Sequence, residues 1–135
     1  MKGSYVLLIC LCERKQITIG KLGTIGFNAG WYAYIGSALN SLPGRINRHL
    51  RNNKTFHWHI DYFLQHATIK EVYYKENRKR KECEIATEFS KHCNHITSFG
   101  CSDCRCQSHL FNESKKQLLQ IIEYFEMIKY SRENT

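Results

Sequence analysis

The period of the apolar positions changes several times along this chain, and each change marks an element. Residues 5–11 (YVLLICL) are apolar without helical spacing, which predicts a strand buried on both faces. Ile17, Ile19 and Leu22 then alternate with polar residues ahead of Gly23 and Gly26, the pattern of two short strands or a hairpin. An aromatic and β-branched run at 30–37 (GWYAYIGS), followed by Asn40-Ser41, predicts the central strand. Ser41-Leu42-Pro43 opens a helix in which Pro43, Ile46 and Leu50 share one face, while Arg45, Arg48 and His49 form the opposite stripe. Residues 57–63 (HWHIDYF) lead into a short helix, 69–74 (IKEVYY) reads as a strand at the sheet's edge, and 75–81 (KENRKRK) as a charged turn. Ile85, Ala86 and Phe89 stripe a helix over 82–89, and Leu118, Ile121, Ile122, Phe125 and Ile128 stripe a longer one over 113–129.

Together these elements predict a single α+β domain over residues 1–130, with a small mixed or antiparallel central sheet flanked by helices, and a loose tail over 131–135. The chain has 135 residues, 42% hydrophobic and 24% charged, which excludes an intrinsically disordered protein. No apolar run approaches the roughly 20 residues that cross a bilayer. The apolar start is short, is followed at once by Glu13-Arg14-Lys15 and lacks a small-residue cleavage site, so it reads as a strand and not as a signal peptide. Seven cysteines make an odd number in a chain large enough to fold without staples, and the expectation is a cytoplasmic protein with reduced thiols. Twenty Lys and Arg against twelve Asp and Glu leave a formal charge of +8, a field suited to nucleic acid or an anionic membrane face. Charge narrows the partners without choosing one.

Three segments in order, Gly3-Ser4-Tyr5, Tyr34-Ile35-Gly36-Ser37 and Arg45-Ile46-Asn47-Arg48-His49, followed by Glu82 at the head of E-x-x-I-A, resemble the GIY-YIG nucleases. HWHID at 57–61, the Glu82-Cys83 pair and GCSDCRCQSHLF at 100–111 make the chain more similar to an uncharacterised branch of that superfamily, found free-standing or fused to endonuclease III. The resemblance covers nearly the whole chain. It implies a GIY-YIG-like fold with Tyr5 and Tyr34 on adjacent strands, and an R-x-x-x-H pair, Arg45 and His49, on the helix that follows. Glu82 would hold a divalent metal, and the activity would be metal-dependent hydrolysis of DNA phosphodiester bonds, serving DNA repair. Tyr5 and Tyr34 lie 29 positions apart, wider than in familiar members, so 16–28 is expected to be an inserted hairpin.

The chemistry is intelligible from the residue types. Phosphodiester hydrolysis needs an activated water, a cation for the charge that builds on the phosphate oxygens, and help at the leaving oxygen. Tyr5 would orient or deprotonate the water with Tyr34 in support, Arg45 would clamp the phosphate with its fork of donors, and His49 or His59 would relay a proton. Glu82 would anchor Mg2+ or Mn2+. Tyr32 is expected in the core with its hydroxyl at the rim, Trp58 as a core anchor, and Arg48 as a solvated charge or a backbone contact to nucleic acid. If the segment is extended, His57, His59 and Asp61 share a side, as a metal site, a proton relay or a merely structural histidine pair.

Cys101, Cys104, Cys106 and His109 crowd four zinc-type donors into nine residues. Two or three of them could bind Zn2+ with His57, His59 or Cys83 completing the shell. The competing reading is a tight turn set by Ser102, Asp103 and Ser108 with small buried thiols. Two other functions stay open beside the nuclease, a non-catalytic nucleic-acid-binding module on the same scaffold and a structural metal-binding or interaction protein.

Overall fold

A computed structural model describes residues 1–77, 81–101 and 106–131. In chain order its elements are β1 (Gly3–Leu11), β2 (Lys15–Thr18), β3 (Thr24–Phe27), β4 (Gly30–Ala38), α1 (Leu42–Leu50), α2 (His59–Phe63), β5 (Thr68–Glu76), α3 (Glu82–His92), β6 (Asn94–His95), β7 (Leu110–Asn112), α4 (Lys115–Tyr124) and β8 (Ile128–Lys129). The two long apolar runs become β1 and β4, paired antiparallel from Gly3↔Ala38 to Leu11↔Gly30, so Tyr5 lies opposite Gly36 and Leu7 opposite Tyr34. They sit at the centre of a six-stranded sheet ordered β6-β7-β4-β1-β5-β8, all of it antiparallel. The protein is thus α+β.

Because successive side chains of a strand point to opposite faces, β1 feeds two cores. Tyr5, Leu7 and Ile9, with Tyr32 and Tyr34 from β4, pack on Ile46 of α1 and on Ile60 and Phe63 of α2. Val6, Leu8, Ala33 and Ile35 pack on the other face against Ile85 and Phe89 of α3 and Leu118 and Ile122 of α4. Each such aliphatic side chain buried in full contributes about 1.5–3 kcal/mol. The expected insertion is present as a separate two-stranded sheet, β2 and β3, held down by buried Ile17, Ile19 and Phe27. Its turn uses positive φ at Gly20 (47°) and Gly23 (91°), conformations that glycine adopts without strain.

Ser41 caps α1 by accepting from the Gly44 N–H at 3.0 Å, as the Ser-Leu-Pro signal predicts. The helix is rotated differently from expectation, however: Leu42, Ile46 and His49 are its buried residues, so His49 faces the core and does not share the outer stripe with Arg45. The longer helix also stops early. Alpha-helical structure ends at Tyr124, Glu126 turns the chain with φ 55°, and Ile128, 59% exposed, joins β8 in place of the helix stripe. Beta8 then pairs with Tyr73–Tyr74, so the segment placed at the sheet's edge is an inner strand there. The charged turn begins later than expected, because β5 runs on through Glu76. The rest of that turn at 78–80 and the tail at 132–135 lie outside the described residues. Among the described residues no helix is long and apolar enough to cross a membrane.

Candidate active site

The start of β1, the middle of β4 and the body of α1 bring most of the nominated side chains together. Tyr5 is 1% exposed, and its hydroxyl lies 2.7 Å from Nε2 of His49, itself 3% exposed. The Tyr34 ring meets the same imidazole edge-on at 6.1 Å between centroids. Arg45, one turn before His49, donates from Nη1 to the Ser37 carbonyl at 3.1 Å and lies beside the Tyr5 phenol. Glu82 opens α3 and is 8% exposed, and its carboxylate acts electrostatically on both Tyr5 and Tyr34. Four of the six residues, Tyr5, Tyr34, Arg45 and His49, therefore form one recessed cluster with Arg45 at its rim, and Glu82 lies within electrostatic reach of its phenols.

His59 is placed elsewhere. Its Nδ1 accepts from the Gly100 N–H at 2.9 Å and its ring packs on Phe99, so it fastens the 96–101 loop to α2. Burial holds its imidazole below the ordinary range.

The protonation states follow from burial. Desolvation pushes the Tyr5 phenol above its ordinary range, the charge of Arg45 and its donation toward the phenol oxygen oppose that shift, and Glu82 adds to it. Tyr34 is raised well above its ordinary range by burial first, and then by Tyr5 and Glu82. Both phenols are neutral at physiological pH. Burial, reinforced by Lys54, lowers His49 to about 3, so it too is neutral and is not the near-neutral titrating group expected of it. With the phenol oxygen facing Arg45, the Tyr5 O–H has His49 Nε2 as its acceptor. The imidazole proton then belongs on Nδ1, which is buried and has no partner among the described residues.

The close fit depends on Gly36. A Cβ there would run into Cζ and the hydroxyl oxygen of Tyr5, because the end of the ring lies over the glycine. Gly36→Ala is accordingly expected to push the phenol off His49 and to destabilise the fold by about 1–3 kcal/mol, the usual range for overpacking. A denaturant titration together with the Tyr5 hydroxyl resonance would measure both effects.

Support for the cluster comes from a pair that sequence reasoning misassigned. Arg48 is not a solvated charge: it donates to both carboxylate oxygens of Asp61, at 2.9 and 3.0 Å, and to the Thr55 carbonyl at 2.9 Å. Asp61 is fully buried and also accepts from the N–H groups of His57 and Trp58, at 2.8 and 2.9 Å. It thereby caps α2, and because that helix starts at His59 the extended His57, His59, Asp61 side does not form. Trp58 is half-buried, with the guanidinium carbons of Arg45 and Arg48 at 4.4 and 4.2 Å from its ring. The indole packs against the core, as expected of an anchor, and also orients two cations. Tyr32 behaves as expected, buried with its hydroxyl donating to the Asn28 carbonyl at 2.6 Å.

Metal-binding capacity lies in two places. Glu82 offers a single recessed carboxylate, a hard oxygen donor that suits Mg2+ or Mn2+, since such ions take one or two carboxylates and complete their shell with water and phosphate. Of the crowded Cys/His stretch, Cys106 and His109 come together with Cys83 of α3, with the three donor atoms within 4.8 Å of one another. Cys101 stands outside that group, its thiol donating to the Phe99 carbonyl at 3.4 Å, and Cys104 lies outside the described residues with Ser102 and Asp103. Ser108 satisfies its hydroxyl against the Leu110 backbone.

Residues 4–130 match a protein family described as "Domain of unknown function DUF123". No curated protein and no solved structure matches the chain.

Proposed function

The chain belongs to this DUF123 family, and from the geometry of its site we propose that it is a metal-dependent endonuclease of GIY-YIG type that hydrolyses DNA phosphodiester bonds and serves DNA repair. The observation that carries this reading is the convergence of Tyr5, Tyr34, Arg45 and His49, drawn from three separate elements, on one recessed cluster, with the Glu82 carboxylate of a fourth element in electrostatic reach. Structural needs alone do not call for a buried carboxylate, a guanidinium and a phenol–imidazole pair at one place. Burying such polar groups is unfavourable unless each is well partnered.

In this mechanism Arg45 receives the scissile phosphate at the rim, its planar fork matching two phosphate oxygens. The neutral Tyr5 phenol accepts a hydrogen bond from the attacking water and directs it at phosphorus, with Tyr34 beside it. His49 keeps the phenol aligned by holding its hydroxyl at Nε2. A divalent cation held by Glu82 would supply the charge that offsets the phosphate and the leaving oxygen. Trp58, Arg48 and Asp61 keep Arg45 in position.

The test uses the full chain with linear, nicked and branched DNA in Mg2+ or Mn2+, against a chelator control. Cleavage is expected only with the ion, and Arg45→Ala is expected to lower its rate by about 10²–10³-fold, the effect of removing one donor to a developing oxyanion. Equal rates for the two proteins, or no cleavage of any substrate with either ion, would overturn the proposal.

The near closure of Tyr5 and His49 favours one second reading, a nucleic-acid-binding module that retains the scaffold without cleaving. Salt-sensitive DNA or RNA binding that survives the loss of Glu82, in a protein that never cleaves, would select it.

A further inference from the structure

We propose that Cys83, Cys106 and His109 form a zinc site that braces the first turn of α3 against the sheet. Two thiolates and an imidazole are borderline-soft donors, a set that selects Zn2+ over the hard cations suited to Glu82. The ligands come from two places, Cys83 in the first turn of α3 and a C-x2-H pair ahead of β7, which lets a tetrahedron close around an ion. Their donor atoms lie within 4.8 Å of one another. Ligand atoms across a tetrahedral zinc shell are about 3.5–3.8 Å apart, so closing on the ion takes roughly 1 Å of side-chain movement.

The imidazole is oriented for that role. His109 is 3% exposed, and its Nδ1 lies 3.1 Å from the Ile35 carbonyl. A carbonyl can only accept, so Nδ1 carries the proton and Nε2 presents its lone pair, as in metal-bound histidines whose other ring nitrogen is tied to the backbone. The backbone is tied as well, since the Ile35 N–H donates to the His109 carbonyl at 3.0 Å. A surface depression lined by Thr87, Ser90, Lys91, Cys106 and Gln107 gives an ion a route in.

Both anchors adjoin the candidate active site: Cys83 follows Glu82, and Ile35, the partner of His109, follows Tyr34. Zinc would therefore fix the distance between the carboxylate and the tyrosines. That consequence rests on the nuclease reading, whereas binding of the ion does not.

The experiment takes the full chain from zinc-supplemented growth, purified without chelator, and measures metal content and the absorption of the Co2+-substituted protein. About one zinc per chain is expected, with a thiolate-to-cobalt charge-transfer band and a melting temperature that falls on stripping and recovers with Zn2+ but not Mg2+. Cys83→Ser and Cys106→Ser should each lose most of the zinc. Their folding is checked by circular dichroism, and the cobalt spectrum of the unaltered protein stands whether or not they fold. Metal-free protein without the cobalt band overturns the proposal, and so does full zinc retention in both variants. None of these readouts uses DNA cleavage, so a failed nuclease assay leaves the zinc result intact, and the reverse also holds.

Discussion

Exchanging Glu82 for glutamine is expected to lower Mg2+- or Mn2+-dependent DNA cleavage by about 10³-fold while leaving the fold in place. A catalytic metal contributes several kcal/mol of charge stabilisation in the transition state, and about 4 kcal/mol corresponds to about three powers of ten in rate. Glutamine keeps the size of the side chain and removes only the charge that would hold the ion. Cleavage at the unaltered rate by a variant that folds would show that the carboxylate does not serve the reaction.

Asp61→Ala is expected to give the largest loss of stability, about 3–5 kcal/mol, because it strands the Arg48 guanidinium beside a cavity and removes the cap of α2. Replacing both partners, Asp61→Leu with Arg48→Met, should cost less than the single change, since no unpaired charge remains. The pair also shapes the acid limb of stability. Burial alone would raise the Asp61 carboxyl, but the Arg48 fork and the N–H groups of Trp58 and His57 outweigh it and hold the group below its ordinary value. Its contribution is therefore present above about pH 3.9, the unfolded value, and is lost as pH falls through the lower folded-state pKa. His49 acts earlier: lowered to about 3, it leaves the unfolded chain taking up a proton that the folded chain refuses, so stability declines from about pH 6.5 downward. Urea unfolding from pH 7 down into the acid range should show both parts, with Asp61→Ala removing the lower one and, since the Asp61 charge favours the protonated imidazole, depressing His49 further.

The elements that position the site were legible where the signal was local. The apolar runs of β1 and β4, the Ser41-Pro43 opening of α1 and the Glu82 start of α3 are each set by adjacent residues. The orientation of α1 was partly readable, because His49 follows the core residue Ile46 by three positions and so falls near its face. Asp61 stands three residues after Trp58, the spacing of a carboxylate that reaches back to a helix start, and that too was available. Its partner Arg48 was not, since nothing local joins residues thirteen positions apart. Alpha4 was overextended because the apolar spacing continues to Ile128, and periodicity is blind to one residue, Glu126, turning the chain back with positive φ. The Cys/His stretch could be parsed only with Cys83 in view, and that neighbour comes from the opposite side of a folded loop.

The outermost strands, β6 and β8, have two residues each, and β8 presents Lys129 beside Glu71 of β5. Such stubs offer almost no free backbone ladder for another strand to zip onto, and a charged pair guards one of them. A chain built this way resists edge-to-edge stacking with its own copies even at high concentration. Those two stubs also give an extended peptide little to lengthen the six-stranded sheet by.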